Sequence, residues 1–381
     1  MPWSTRDTMS LRQEFVLLAR QEGCNRRELC RRFGISPQTG YKWLARYVES
    51  GDAGLADRTR RPSHSPMRTE AELEQAVIAL RQQHPAWGGR KISRRLADLG
   101  WSDVPAPSTV TSILHRYGLI APEASDASTP WQRFEHAEPN QLWQMDFKGG
   151  FALADGQRCS PLTVIDDHSR FNLVLAACTQ TQSAVVQRHL RQAFERYGLP
   201  LRINADNGAP WGSPTRPGQL TGLGVWLIRL GVRLSYSRPA HPQTNGKDER
   251  FHRTLKAEAL AGRYFASCDA VQHALDAWRT VYNCERPHQA IDLATPITRY
   301  RPSPRPYPST LAPIEYSPQD IVLNVGWNGE LRFRSWRFKL SNALHGLPVA
   351  LRPDPKHRDQ FDLYFVHQHL GRIDLNLPDD C

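Results

Sequence analysis

The sequence predicts a multi-domain α+β protein, in which helical units come first, an α/β core follows and a small β-barrel ends the chain. Its 381 residues exceed the size of one ordinary domain. Apolar residues recur at helical spacing up to residue 121, whereas from Asn140 onward short apolar runs alternate with helices. Two stretches rich in Pro and Ser, 122–139 and 301–318, resist helix and sheet and are predicted to be linkers.

These linkers divide the chain into four parts. A first helical unit is expected over 1–60 and a second over 67–121, with a short break rich in Pro and Arg between them. The α/β core is expected over 140–300 and the β-barrel over 319–381. Each part is expected to bury a hydrophobic core of its own.

The overall composition favours an intracellular protein with a polyanionic partner. Lys and Arg number 49 against 38 Asp and Glu, which gives a formal net charge of +11 and a pI near 9.5. Basic side chains bind phosphates by releasing condensed counterions. The seven cysteines are widely spread and include no CxxC pair, as expected in a reducing cytoplasm. No run approaches the roughly 18 apolar residues of a membrane span, so no membrane partner is expected.

The first unit has the pattern of a helix-turn-helix. Asn25, with Glu28 three residues later, is a capping signal for a second helix, and Ser36-Pro37 begins a third after a short turn. Amides, hydroxyls and cations suit base edges and phosphates, so the exposed face of this third helix is a candidate DNA-recognition surface. That face comprises Gln38, Thr39, Tyr41, Lys42 and Arg46. A plain three-helix bundle with a solvated polar face is the alternative.

The second unit is predicted to hold helices over Glu70 to Gln83 and over Pro107 to Tyr117, with a basic segment between them. The basic side chains of that segment are candidates for binding DNA phosphates: Arg90, Lys91, Arg94 and Arg95. A charge run of this size is also typical of a simple solvated helix face.

Three acidic residues mark the predicted core. Asp146 lies inside a strand of alternating pattern, LWQMDF, where a carboxylate is costly to bury without a partner. Asp206 follows a short strand, at the end where α/β sheets bind ligands. Glu249 lies on a helix that runs from Asn245 through Leu260, with an apolar stripe on another face.

Carboxylates from two strands and a helix can form an oxygen-rich site for hard divalent cations. Two such ions about 3.5 to 4 Å apart activate the attacking oxygen and stabilise the leaving oxygen in phosphoryl transfer. The residues therefore predict two Mg²⁺ ions at Asp146, Asp206 and Glu249, with Mn²⁺ as a substitute, because zinc would favour His and Cys. This is the chemistry of cutting and rejoining DNA.

Other polar residues near these acids have simpler interpretations. Asp248 is assigned to the Asn245 helix cap rather than to the site. Asp166 and Asp167 are predicted to fix a hairpin turn through Asx hydrogen bonds. His252 and His288 are not assigned a catalytic role, because two-metal phosphoryl transfer needs no histidine base. Lys247 and Arg286 are equally well explained as phosphate contacts or as solvated charges.

Four segments resemble consecutive signatures of one family: WQMDF, INADNGAPW, SRPAHPQTNGKDERFHRTLKAE and YNCERPHQAIDLATPITRY. They are similar to insertion-sequence DDE transposases with a retroviral-integrase-type, ribonuclease-H-like catalytic core. The upstream CRRFGISPQTGYKWL and HPAWGGRKI resemble the DNA-binding region of the same transposases. One departure is the interval of 42 residues between Asp206 and Glu249, which is longer than in many members and matches a longer-spaced branch.

The resemblance implies that Asp146, Asp206 and Glu249 are the catalytic metal ligands, that Lys256 contacts the transposon end and that Asn207 supports the site. It implies an enzyme that nicks the terminal inverted repeats of its element to expose 3′-hydroxyls and joins them to target DNA. The partners would be double-stranded DNA and further copies of the chain assembled on paired ends. The expected location is the bacterial cytoplasm, in association with the nucleoid.

Two rival functions follow from the same residues. A catalytically silent, sequence-specific DNA-binding regulator would keep the fold but lose the reaction, and the presence of all three acids argues against it. A nuclease acting on RNA–DNA hybrids shares the core fold, and the two helical DNA-binding units favour duplex DNA instead.

The C-terminal part is predicted to be a small β-barrel of five short strands. Its basic and acidic residues nearly balance, so only the run of Arg332, Arg334, Arg337 and Lys339 supports DNA contact. A role in assembling protomers is the equal alternative.

Overall fold

The computed structural model describes residues 7–58, 69–120, 135–206, 208–212, 219–236, 246–357 and 359–376. The chain divides into two compact units, Met1–Arg68 and Thr69–Cys381. Within the described ranges, no helix combines the length and the apolar character that crossing a membrane requires.

The first unit contains three helices: α1 (Thr8–Ala19), α2 (Arg26–Arg32) and α3 (Pro37–Ser50). The predicted caps are confirmed, since the Asn25 side chain accepts a hydrogen bond from the Glu28 N–H and Ser36 accepts one from the Thr39 N–H, both at 3.2 Å. Gly40 allows α3 to approach its neighbours, because a Cβ there would lie 2.6 Å from the Cys30 sulfur. The helix-turn-helix prediction is therefore realised in a packed core.

The second unit begins with three more helices: α4 (Ala71–Gln83), α5 (Gly89–Asp98) and α6 (Pro107–Arg116). They pack around Trp87, Ile92 and Leu114, and Val281 of the following α/β core packs against the same cluster. Arg81 closes the group by donating hydrogen bonds to the carbonyls of Trp87 and Leu119. These helices are therefore joined to the α/β core by hydrophobic packing as well as by the polypeptide backbone.

A five-stranded sheet forms the middle of this unit, in the order β5-β4-β1-β6-β7. Strand β1 pairs antiparallel with β4 and parallel with β6, β4 pairs antiparallel with β5, and β6 runs parallel to β7. A small hairpin, β2 and β3, stands apart from this sheet. The elements are β1 (Trp143–Phe147), β2 (Phe151–Ala152), β3 (Arg158–Cys159), β4 (Leu162–Asp166), β5 (Asn172–Ala176), α7 (Ser183–Tyr197), β6 (Arg202–Ala205), α8 (Gly222–Arg229), β7 (Arg233–Tyr236), α9 (Gly246–Leu255), α10 (Cys268–Cys284) and α11 (Pro296–Arg299).

Helices cover both faces of the sheet. On one face, α7 and α8 bury Leu190, Phe194 and Trp226 against strand residues that include Trp143. On the other face, α9 and α10 bury apolar residues against Ile165 and Leu175. The predicted apolar stripe of α9 is confirmed in this second core, with Phe251, Leu255 and Ala259 all buried. The helix widens into a π-helical turn, Lys256–Leu260, at the end of this stripe.

Residues 319–357 and 359–376 of the C-terminal part form six strands rather than the five predicted. They are β8 (Ile321–Asn324), β9 (Glu330–Phe333), β10 (Trp336–Lys339), β11 (Pro348–Pro353), β12 (Gln360–Phe365) and β13 (Gln368–Asp374). The segment LRFRSWRFKL folds back as the β9–β10 hairpin, with Arg334 in the left-handed region at its turn.

A closed barrel is not confirmed among the described strands. They form a four-stranded sheet, β13-β12-β11-β8, and the separate two-stranded β9–β10 sheet. The two sheets meet through side chains, such as the edge-to-face rings of Phe333 and Phe361, so their backbone ladders do not join into one ring.

Candidate active site

Asp146 lies near the end of β1, directly opposite Thr163 of β4. Its Oδ1 accepts a hydrogen bond from the Phe147 N–H at 2.7 Å. Burial and, to a lesser degree, the charges of Asp206 and Glu249 together raise the pKa of Asp146 to about 7, against the opposing hydrogen bond from the Phe147 N–H. The surroundings of Asp146 therefore disfavour the charged form of its carboxylate.

Asp206 and Glu249 approach Asp146 from two other elements. Asp206 directly follows β6, which runs parallel to β1, so both strands end at the same sheet edge. Glu249 lies in the first turn of α9, which contacts β1. The fold thus brings the three predicted acids to one edge. As these side chains are placed, no three His, Cys, Asp or Glu within the described ranges stand close enough together to hold an ion.

His252 contacts the carboxylate site through a chain of hydrogen bonds. The Thr163 hydroxyl donates to the Asp146 carbonyl at 3.0 Å and lies 2.8 Å from Nε2 of His252. Because that hydroxyl has only one proton, Nε2–H of His252 must donate to it, which leaves Nδ1 as an acceptor. Nδ1 lies 3.8 Å from Oδ2 of Asp146. Burial and the charge of Lys148 lower the pKa of His252 to about 4, which keeps the ring neutral.

Two lysines lie together beside the acids. Burial lowers the pKa of Lys148, and the neighbouring Lys256 lowers it further. Lys256 is exposed at the start of the π-helical turn, so the side chain that the resemblance assigns to DNA contact faces solvent. The sequence pattern did not single out Lys148. It follows Asp146 by two residues, and because side chains of a strand alternate, the pattern puts both on the same side.

Asp248, which the sequence assigns to the Asn245 helix cap, is a buried residue of α9. It is only 1% exposed, and within the described part of the chain neither of its carboxylate oxygens has a hydrogen-bond partner. Its position follows from helix geometry: Asp248 and Phe251, three residues apart, share the face of α9 that packs against the sheet. The Asn245 side of the predicted cap lies outside the described residues.

Lys247, the residue before Asp248, forms an ion pair with Asp167 in the turn after β4. Burial alone would raise the pKa of Asp167, but Lys247 and hydrogen bonds hold it below its usual range. Burial and the nearby Arg170 outweigh the pairing for Lys247, whose pKa is lowered. Lys247 therefore neutralises an internal acid, and neither of the two roles considered from the sequence describes it.

The Asx turn predicted after β4 is confirmed for Asp166. Its Oδ1 accepts hydrogen bonds from the Ser169 N–H at 2.8 Å and from the Ser169 hydroxyl at 2.5 Å. Its Oδ2 accepts one from the Asn140 N–H at 2.7 Å. The carboxylate is thereby occupied in holding the turn.

The candidate DNA-recognition face of α3 is only partly open. Gln38, Tyr41 and Lys42 are exposed, whereas Thr39 and Arg46 are half-buried. Thr39 Oγ1 lies 2.9 Å from the Ser36 hydroxyl, and the Arg46 guanidinium lies 5.1 Å from the Trp43 ring centroid.

The basic run of α5 separates into exposed and paired side chains. Arg90 is exposed beside an open cavity of about 730 Å³, which Ser108 and Thr111 also line. Lys91 lies 3.7 Å from Glu258 of the π-helical turn, and burial lowers the pKa of Lys91 to about 8. Arg94 pairs with Asp98 on its own helix at 2.8 Å.

A buried ion cluster anchors this helix to the core. Glu258 accepts hydrogen bonds from Nε of Arg286 at 2.9 Å and from the indole of Trp278 at 3.1 Å, in addition to its pairing with Lys91. Arg95 donates to Glu285 at 2.6 Å. Arg286 and Lys91 are therefore internal partners of acids, which periodicity within α5 did not indicate. Asn207, predicted to support the site, lies outside the described residues.

The donor set fits a hard divalent cation. The three acids supply only carboxylate oxygens, which Mg²⁺ and Mn²⁺ prefer. Burial and the charges of the other two acids raise the pKa of Asp146, and a bound cation would favour the charged form.

Family models match most of the folded parts. The integrase core domain matches residues 136–242 and again residues 230–296. A helix-turn-helix domain matches residues 11–63, and a homeodomain-like domain matches residues 39–114.

Relatives include proteins of bacterial insertion elements. An uncharacterised IS476 protein of Xanthomonas euvesicatoria is 27% identical over 61% of this chain and 66% of its own length. An IS407 protein of Burkholderia multivorans is 28% identical over 42% of this chain and 54% of its own length. The chain thus spans about half to two thirds of these relatives. The IS904 transposase of Lactococcus lactis is 24% identical over 62% of this chain and 96% of its own length.

Solved structures with a similar chain include the HTLV-2 integrase catalytic core domain in complex with magnesium. It is 17% identical, with a TM-score of 0.32, over 43% of this chain and 99% of that one. An intasome structure of simian T-cell lymphotropic virus matches at 16% identity, with a TM-score of 0.38, over 79% of this chain and 96% of that one. Parts of this chain thus match models of the integrase core domain and of helix-turn-helix domains, and the chain is similar to proteins of bacterial insertion elements.

Proposed function

We propose that the protein is a DNA transposase that nicks the ends of its element and joins the resulting 3′-hydroxyls to target DNA. One observation carries the proposal. Asp146, Asp206 and Glu249 come from three elements to one sheet edge, where burial and, in addition, the charges of Asp206 and Glu249 raise the pKa of Asp146 to about 7. Such an arrangement stabilises divalent cations and disfavours three free carboxylates.

In this reaction Asp146, Asp206 and Glu249 hold Mg²⁺ ions, for which Mn²⁺ can substitute. When bound, these ions would activate an attacking oxygen and offset the charge that develops at the phosphate. His252 stays neutral and, through Thr163, holds the backbone of Asp146 in place.

DNA is bound by side chains on several elements. Lys256 and Lys148, at the edge beside the acids, are positioned to pair with the phosphates of the reacting strand. Gln38 and Lys42 on α3 face solvent and are suited to base edges and phosphates. Because both ends of an element are handled together, the active form is a homo-oligomer on paired ends.

The proposal is tested with duplex DNA that carries the terminal inverted repeat of the element. Wild type, Asp206→Asn and Glu249→Gln are compared for 3′-end nicking and strand transfer in Mg²⁺. The two variants keep side-chain shape and remove one charge each. We expect wild type to nick and join, and both variants to bind the DNA but to lose cleavage by at least about a hundredfold.

A matched control separates the site from general charge effects. Asp269→Asn removes one exposed acid from the first turn of α10 and is expected to leave nicking unchanged. If wild type binds the terminal DNA but never cuts it in Mg²⁺ or Mn²⁺, the catalytically silent regulator replaces the transposase as the function.

A further inference from the structure

Asp248 is a buried acid for which the described protein supplies no hydrogen-bond donor. It is 1% exposed, and both of its oxygens lack a partner within the ranges that the structure describes. Asp166, which is equally buried, accepts three hydrogen bonds from Ser169 and Asn140. A buried carboxylate without donors is strongly destabilising, so Asp248 is an exception within its own core.

The surroundings of Asp248 are acidic. Burial and the neighbouring Asp146, Asp206 and Asp167 raise the pKa of Asp248 well above its usual value, and Lys247 is the opposing charge. The ammonium of Lys247, however, is bonded to Asp167. The carboxylate of Asp248 thus shares an environment with two of the proposed metal ligands, without a cation of its own.

A second acceptor without a donor lies near the same ion pair. The side-chain carbonyl of Gln144 is buried and unpartnered within the described chain, whereas its amide nitrogen donates to Asp167 at 2.8 Å. Gln144 precedes Asp146 by two residues on β1 and so points to the same side of that strand. Oxygen acceptors without donors, at a surplus of negative charge, suit a hydrated divalent cation. An ordered water alone would supply protons but would leave the charge unbalanced.

We propose that Asp248 is a fourth carboxylate of the divalent-cation site, acting with Asp146 and Asp206 from its buried side while Glu249 acts from its exposed side. Consecutive residues of a helix point about 100° apart, and α9 contacts β1, so both side chains can serve one site. This inference rests on the proposed function, because it assigns a further ligand to the same ions.

The test is Asp248→Asn in the full chain, with Asp269→Asn as the matched control. Asparagine keeps the shape of the side chain and removes the buried charge. Without added metal, we therefore expect the variant to melt at a higher temperature than wild type. In titration calorimetry with Mn²⁺, we expect its dissociation constant to rise at least tenfold, and its melting temperature to gain less from Mn²⁺ than that of wild type.

Unchanged Mn²⁺ affinity in Asp248→Asn would overturn the inference and leave Asp248 as a buried protonated acid. Asp248→Ala repeats the test without any polar atom, in case the asparagine itself coordinates the ion. Asp206→Asn separates the two proposals. If it abolishes Mn²⁺ binding while Asp248→Asn retains it, only this inference fails. If wild type binds no Mn²⁺, both the proposed function and this inference fail.

Discussion

At the scale of single residues, the number of donors around each buried acid determines its role. Asp166 and Asp167 are buried in the same core as Asp248, but the first two are surrounded by donors and hold a turn and an ion pair. Asp146 has one backbone donor and acidic neighbours. Acids with satisfied oxygens stabilise the fold, whereas those without donors are available for a cation.

The hydroxyl of Thr163 is expected to couple His252 to β1 through hydrogen bonds. Thr163→Val removes it and leaves the half-buried Nε2–H of His252 without an acceptor. We expect the free energy of unfolding to fall by about 1–3 kcal/mol in chemical denaturation. Thr163→Ser keeps the hydroxyl and should lose less; equal losses in both variants would show that methyl packing, not the hydrogen bond, is responsible.

His288 is expected to make the protein sensitive to acid. Burial and the charges of Arg286 and Lys91 lower the pKa of His288 well below 6.5 in the folded chain. As pH falls below 6.5, the unfolded chain binds a proton that the folded chain excludes, so stability is lost until the lowered folded pKa is reached. The expected loss is about 1.4 kcal/mol per pH unit in that window.

The measurement compares unfolding free energies at pH 7.5 and 5.5 for wild type and His288→Gln. Glutamine can still accept the hydrogen bond from Arg286, which reaches Nε2 of His288 at 3.3 Å, and it does not titrate. The variant should therefore lose less stability on acidification. An identical pH dependence in both proteins would assign the acid sensitivity to other groups.

At the scale of elements, α5 shows how one basic helix divides its charges between the inside and the outside. Its buried stripe of Ile92 and Leu96 sets which side faces the core. Lys91 and Arg95 then reach Glu258 and Glu285 on the core. Arg90 remains exposed to solvent. The neighbouring Arg90 and Lys91 therefore differ in their surroundings, although both are basic.

The adjacent Arg90 and Lys91 form a matched pair of variants for DNA binding. We expect Arg90→Ala to weaken binding and to reduce the slope of log affinity against log salt by about 1, because one phosphate contact is lost. Lys91→Ala is expected to keep that slope and instead to lower the melting temperature, because Glu258 loses one of its two cations. Equal loss of slope in both variants would contradict the division of roles.

Across the whole molecule, the C-terminal sheets and the α/β core share a hydrophobic cluster. Ile228 and Val225 of α8 pack in one cluster with Val325, Leu344 and other residues of the C-terminal strands. Ser341 donates a hydrogen bond to the Leu220 carbonyl at 2.6 Å. Residues on both sides of the predicted 301–318 linker therefore stabilise each other.

Truncation after Pro318 is expected to destabilise the part of the chain that remains. It would expose the buried face of α8, so the α/β core should melt at a lower temperature and bind a hydrophobic dye. In the full chain, Ile228→Ala should lower the unfolding free energy by about 2–5 kcal/mol, whereas Leu201→Ala, an exposed control, should not. A truncated core that melts like the intact one would mean that the C-terminal part is an independent module.

Local patterns in the sequence were sufficient for most elements of the α/β core. Helix α7, Ser183–Tyr197, follows from an apolar period that is unbroken until Gly198 ends the helix. The strands that carry Asp146 and precede Asp206 were also predicted, since alternation and turn residues are properties of a few neighbouring side chains. From these the convergence of three acids on one sheet edge could be inferred.

The sequence by itself therefore determined the helix-turn-helix, the α/β core and the acids of the candidate site, all of which follow from spacing along the chain. Only the tertiary structure decided which charges are internal: Lys91 pairs with Glu258, Lys247 pairs with Asp167, and Asp248 is buried without a donor. It also decided that the last strands form two facing sheets. The physical reason is that pairing and burial depend on elements distant in sequence, whose side chains meet only after folding.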